Sequence, residues 1–348
     1  MTNDRLKGIV NYGIPILLTG ILLLFLTLCI ISEHAEADPG LTAPLVFHVS
    51  ADDTELSILP WQSGDECCVF LPSFAAPDRM TAELPGSEPV YLNGIRLTDG
   101  MSCAAFPLNS DAELRIGNAA PLRFRMMRSE NLSTIFVRTA SGGMDQIYAD
   151  KSRREPAALC VVSPAGTREY ITTGLDWLRG HGNSTWELDK RSFNLYLGQK
   201  SSLLGMLPAE NYVLVSNAID DTCLRNRLVY DFASAVAGYD GFSPDCEFAD
   251  LYLNGEYAGL YLLCEKPAFS ENRLNPEPGS FLYELTAYGS EDDWQCIPQD
   301  SGMFAEIHTP EPCTGAQKEQ FEKRLAELRS ALLSSDSGQD ASSKSWTD

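Results

Sequence analysis

Short runs of alternating apolar and polar residues dominate the first half of the chain after residue 44. LVFHVS, CCVFLP, PVYLNGIRLT and ELRI fall within residues 45–128 and are separated by Pro, Gly, Asp and Asn. This is the pattern of half-buried strands joined by tight turns. Asn93-Gly94 sits between two such alternations, the pairing that best suits a two-residue hairpin turn. Residues 45–128 are therefore expected to form a small β-sandwich-like accessory domain, with no catalytic constellation of its own.

A second unit begins near Leu132. STIFVRT, AALCVVSP, REYITTGLDWLRG, FNLYLG and NYVLVSN read as strands. DDTCLRNRLVYDFASAV reads as a helix: Asp220 or Asp221 can cap it, and Leu224, Leu228, Phe232 and Val236 recur every fourth residue. FADLYLNGEYAGLYLLCEKP carries a second hairpin signal at Asn254-Gly255. Residues 317–333 have the pattern of a charged amphipathic helix, and the polar, low-complexity SSDSGQDASSKSWTD reads as a disordered tail.

One run has a different pattern. IPILLTGILLLFLTLCIIS, residues 14–32, is uncharged and follows Arg5 and Lys7. A bilayer core of about 30 Å needs roughly 20 helical residues at about 1.5 Å each. EHAEADPG beyond it has no Lys or Arg, so charge asymmetry puts the N-terminus inside. The expectation is an uncleaved signal-anchor helix, with a cleaved signal peptide as the alternative. Either would export the rest of the chain, and residues 33–44 would then be a polar linker.

Composition narrows the function. Hydrophobic residues make up 44% of the 348, enough for a sizeable core. A formal charge of −22 argues against a general nucleic-acid binder, which needs a basic face. Of the ten cysteines, Cys29 lies in the apolar run, which leaves nine. No pair has C-x2-C metal spacing, and Cys160 and Cys264 read as small buried hydrophobes. His34, His48, His181 and His308 are scattered, so no metal ligands are assigned.

RGHGNSTWELDKRSF, residues 179–193, has the look of a phosphate loop. A Walker loop needs G-x4-G-K-[ST] between strand and helix. Here Gly180 and Gly182 are two apart, no Lys precedes Ser184, and a strand follows. The third glycine of a dinucleotide fingerprint is missing as well. From spacing alone this is a structural turn.

Three blocks in order change that reading: RGHGNSTWELDKRSFNLYL, NYVLVSNAIDDTCLRNRLVYDF and FADLYLNGEYAGLYLLCEKP. Together they resemble the CotH kinase family, named after a spore-coat protein, over residues from about 132 to about 330. The resemblance implies an atypical protein-kinase-like fold that uses ATP and Mg and acts on Ser/Thr of surface or spore-coat proteins. It implies a nucleotide cradle built from Lys190, Arg191, Arg179, Asn183, Arg225, Glu265 and Lys266, with Glu265-Lys266-Pro267 as a hinge. Within it, Arg225 can hold phosphate or pair with Asp220 and Asp221, and Asn183 can make a turn bond or touch ligand. His181 stands where the family pattern has Arg, Ser192-Phe193 where it has Pro-Tyr, and Arg191 where it has Lys.

The family's catalytic acids lie in a W-D-x-D-like motif absent from this sequence, so no catalytic residue is assigned and the chain is expected to be incomplete for catalysis. The expected fold class is α+β: an N-terminal transmembrane helix, a small β-sandwich-like domain, then a kinase-like α+β unit lacking most of its C-lobe. The expected boundaries are residues 1–34, 45–128, 132–333 and a tail at 334–348. The expected function is a membrane-anchored, extracytoplasmic CotH-like protein; the alternative is a non-catalytic surface scaffold or adhesion protein. Expected partners are a surface or spore-coat protein and, through residues 14–32, the membrane, with no nucleic acid.

Overall fold

The computed structural model describes residues 45–335 apart from 87, 173–175, 237–242, 272, 288–293 and 296–303. Val46–Arg128 forms two sheets, one of four strands and one of six. Their inner faces share a core around Phe47, Phe106 and Phe124, with ring centroids 5.2 Å apart for Phe47–Phe106 and 5.4 Å for Phe106–Phe124. Alternation builds that core directly. In Glu66–Leu71, Cys67, Val69 and Leu71 are buried, and the residues between them are not. Asn93 and Gly94 both have positive φ, 48° and 76°, as a primed hairpin turn requires.

The second unit is a barrel. Its strands are β1 (Ser133–Thr139), β2 (Glu155–Val162), β3 (Arg168–Ile171), β4 (Asp176–His181), β5 (Ser192–Ser201), β6 (Ala209–Val215), β7 (Cys246–Leu253) and β8 (Glu256–Glu265). The hydrogen-bonded order β1-β7-β8-β6-β5-β4-β2 closes on itself because β1 also pairs with β2, giving seven strands around, with β3 paired to β2 outside the ring. Leu178, Phe193, Leu195, Tyr212, Leu214 and Tyr261 fill the interior. Each such side chain contributes about 2 kcal/mol when withdrawn from water.

Helices are few. They are α1 (Asp145–Ala149), α2 (Arg225–Ala235) and α3 (Gly315–Ser335). A small sheet of β9 (Leu282–Thr286), β10 (Trp294–Gln295) and β11 (Phe304–Thr309) follows the barrel, and α3 seats Phe321 against Phe281 and Tyr283.

Two expectations, the fold class and the transmembrane anchor, are corrected. The fold is mostly β with a closed barrel, not a kinase-like α+β unit: the strands pair all the way round, and closure leaves the ring without a free edge. α2 does not cover a sheet with its apolar stripe. None of its residues is buried, and Leu228 and Phe232 are 61% and 73% exposed. Nor does any helix among the described residues have the length and apolarity to cross a membrane. The expected transmembrane helix, single-pass membrane anchoring and extracytoplasmic placement are therefore not supported; residues 14–32, on which they rested, lie outside the described residues.

The first unit seals one flank of the barrel. Phe136, Cys160, Val162 and Tyr252 join its core. Tyr252 stacks on Phe136 at 4.7 Å and donates its hydroxyl to Phe70 O at 2.7 Å. Arg168 ties the same seam to Asp53 and, through its N–H, to Asp52 at 2.9 Å. The opposite flank, β4-β5-β6-β8, is left for other work.

Candidate anion site on the outer barrel face

Antiparallel register lines up Arg179 on β4, Asn194 on β5, Val213 on β6 and Cys264 on β8 in one row. Neighbours in each strand, such as Leu178, Phe193, Leu214 and Leu263, point into the barrel, so this row points outward. His181 lies two residues beyond Arg179 on the same face, and Lys266 two beyond Cys264. Lys266 Nζ reaches Asn194 Oδ1 at 3.4 Å, while Asn194 Nδ2 donates to Gly180 O at 3.1 Å, which fixes the amide.

Two half-buried cations, Arg179 and Lys266, and the His181 imidazole thus share one small area. Burial, Lys266 and Arg179 hold His181 below its ordinary value of 6.5. Burial and then Arg179 depress Lys266; burial and then Arg154 depress Arg179. Arg179 Nε is buried without a hydrogen-bond partner. Arg154 lies 4.9 Å over the Trp177 ring, which stacks on Tyr196 at 4.9 Å, so the cationic patch has an aromatic floor. Glu284 on β9 is the carboxylate whose charge reaches both His181 and Lys266. Glu284 faces Glu306 across the β9–β11 ladder and lies 3.3 Å from His308 Nε2. The ligand atoms of Glu284, Glu306 and His308 all fall within 4.8 Å of one another, and they are the described residues placed to hold a divalent cation.

Of the seven residues expected in a nucleotide cradle, the structure brings Arg179 and Lys266 together and places the others elsewhere. Lys190 Nζ donates to Leu260 O at 2.6 Å and lies 4.9 Å over the Tyr261 ring; burial lowers its pKa. Arg191 is clamped between Tyr148 and Trp186 at 4.6 and 4.8 Å. Asn183 accepts from Lys151 Nζ at 3.0 Å, and Lys151 also bonds Gly182 O at 2.9 Å. Arg225 is exposed, with Nε 3.7 Å from Asp220 Oδ1. Asp220 accepts the N–H groups of Arg225 and Thr222, and the Arg225 bond is the main cause of its lowered pKa. Glu265 is buried with Arg273 at 2.5 Å and accepts Asp245 N–H at 3.1 Å.

The glycines of RGHGNSTW have packing reasons. A Cβ on Gly180 would come 2.6 Å from the Trp186 ring, and Gly182 has φ of +91°. The loop is shaped to seat Trp186. Reading the sequence missed Asn194, Lys151, Arg154 and Glu284, and noted His181 only as a departure. The i, i+2 spacing of Arg179 and His181 on a strand was the available signal.

Residues 178–337 match the family model described as CotH kinase protein. This stretch is a CotH-family domain. A search of curated proteins gives no match to the chain. The matched stretch begins inside β4, yet β1 and β2, which precede it, complete the same barrel, so the CotH-family match covers only part of the folded unit. Kinship with kinases points in general terms to ATP and a metal as the family's cofactors.

Proposed function

We propose that the CotH-family domain binds the phosphates of ATP on the outer barrel face, between Arg179, His181 and Lys266, in the service of phosphoryl transfer to protein Ser/Thr hydroxyls. One observation carries the reading: two partly desolvated cations, Arg179 and Lys266, sit together with their charges mutually unfavourable, beside the His181 imidazole whose protonation both oppose. A bound polyphosphate would relieve that repulsion and give Arg179 Nε a partner. Glu284, Glu306 and His308 would hold a divalent ion beside it, screening the phosphate charge. Imidazole with two carboxylates suits Mn²⁺ better than Mg²⁺, which prefers oxygen ligands.

Calorimetry with ATP and either ion tests this. Arg179→Ala and Lys266→Ala should each weaken binding at least about tenfold, roughly 1.4 kcal/mol. Lys190→Ala should leave it unchanged, because Lys190 is committed to Leu260 O and Tyr261. Binding that depends on Lys190 and ignores Arg179 would overturn the assignment. A second reading, a non-catalytic scaffold, draws support from the bare apolar stripe of α2.

A further inference from the structure

Cys246 on β7 and Cys264 on β8 are direct register partners in an antiparallel pair. The adjacent pair, Asp245 and Glu265, is joined by Glu265 N–H donating to Asp245 O at 2.9 Å. Narrow hydrogen-bonded pairs alternate with non-hydrogen-bonded ones, so Cys246 and Cys264 occupy a non-hydrogen-bonded position. There the Cα atoms stand about 4.5 Å apart and the side chains are at their closest, inside the range a disulfide spans. Both side chains point outward from the barrel, and together with Leu262 they form a small buried cluster under Tyr230 of α2.

We propose that Cys246 and Cys264 are a thiol–disulfide exchange site, oxidised by a small-molecule disulfide to a cross-strand bond between β7 and β8. The Cys246 thiolate attacks one sulfur of the oxidant, forming a mixed disulfide and releasing one thiolate. Cys264 then loses its proton to solvent and attacks the Cys246 sulfur, releasing the second. Two protein thiols become one disulfide, and the oxidant becomes two thiols. The surroundings assign the order of attack. The Cys264 thiol beside it and Arg227 nearby favour the Cys246 thiolate, whereas Cys264, whose thiol donates to Leu262 O at 3.7 Å, is held protonated.

Access is through α2. Cys246 and Cys264 are only 1% and 3% exposed, so the native surface hides them. Yet α2 has no buried residue of its own. It is seated by Tyr230, by Arg227 through Glu247 and the Cys246 carbonyl, and by Asn226 through Asn217 Oδ1. A helix held by so few buried contacts opens at low cost without global unfolding.

The test is oxidation of the full chain in graded oxidised and reduced glutathione, followed by alkylation and peptide mapping. The expected product is a peptide linked through Cys246 and Cys264, with both thiols lost in parallel. Tyr230→Ala, which unseats α2, should speed its formation several-fold. In Cys246→Ser, Cys264 should remain alkylatable after refolding. A mixed glutathione adduct that never resolves, a bond to another cysteine, or two thiols unchanged at the most oxidising ratio would each overturn the proposal. The wild-type mapping decides the matter even where a variant fails to fold.

Discussion

The two flanks of the barrel use the same strand alternation for opposite ends. Where the first unit covers β1 and β7, the outward residues are Phe136 and Tyr252, stacked on one another and locked to Phe70 O. Across the barrel, outward residues of β4 and β5 are Arg179, His181 and Asn194, with Lys266 beside them. The sealed flank gains stability from packing. The open flank keeps charges close together that cost stability in the empty protein. A fold concentrates such a cost where a ligand of opposite charge offsets it.

The largest effect should come from breaking the sealed flank. Tyr252→Ala removes a fully buried ring from the core between the first unit and the barrel flank and should cost about 3–5 kcal/mol in chemical denaturation. Tyr252→Phe removes only the bond to Phe70 O and should cost about 1 kcal/mol. If the two variants were equally damaging, packing would not be what holds this flank.

The open flank should respond in the other direction. Arg179→Ala and Lys266→Ala weaken nucleotide binding while leaving denaturation midpoints unchanged or slightly raised, since each relieves the repulsion between the Arg179 and Lys266 charges. Lys190→Ala should do the reverse, costing about 1 kcal/mol of stability with no loss of affinity. Measuring midpoint and affinity on the same three proteins separates a structural cation from a ligand-binding one.

Strand positions and both Asn-Gly hairpins were legible because alternation and turn chemistry are local. Closure was not, since the pairing of β1 with β2 and β7 joins segments more than a hundred residues apart in the case of β7. The site was half legible for the same reason. Lys190-Arg191 looks like a phosphate contact in sequence, but Leu260 O, Tyr148 and Trp186 occupy those side chains, and these partners lie on other elements. Arg179 and Lys266 become neighbours only through the β4-β5-β6-β8 ladder. The α2 stripe shows the limit of periodicity: it identified one helix face but not whether that face is covered.

The smallest effect, and the sharpest test of the open flank, is pH dependence. His181 in the free protein is held below 6.5 by burial and two cations, so the unfolded chain takes up its proton first as pH falls. His181 therefore stabilises the fold above pH 6.5 and loses that contribution as pH drops through its depressed folded value. A bound phosphate reverses the local field and pulls His181 upward. By linkage, binding then takes up a proton, and affinity rises as pH falls below about 6.5. ATP's own titration contributes equally to the wild type and to His181→Gln, so the difference between them isolates the imidazole. Calorimetry near pH 6 in buffers of different ionisation enthalpy should show proton uptake that is larger in the wild type. Equal uptake by the two proteins would mean that the phosphates bind away from His181, and the contrast between the two flanks would lose its functional meaning.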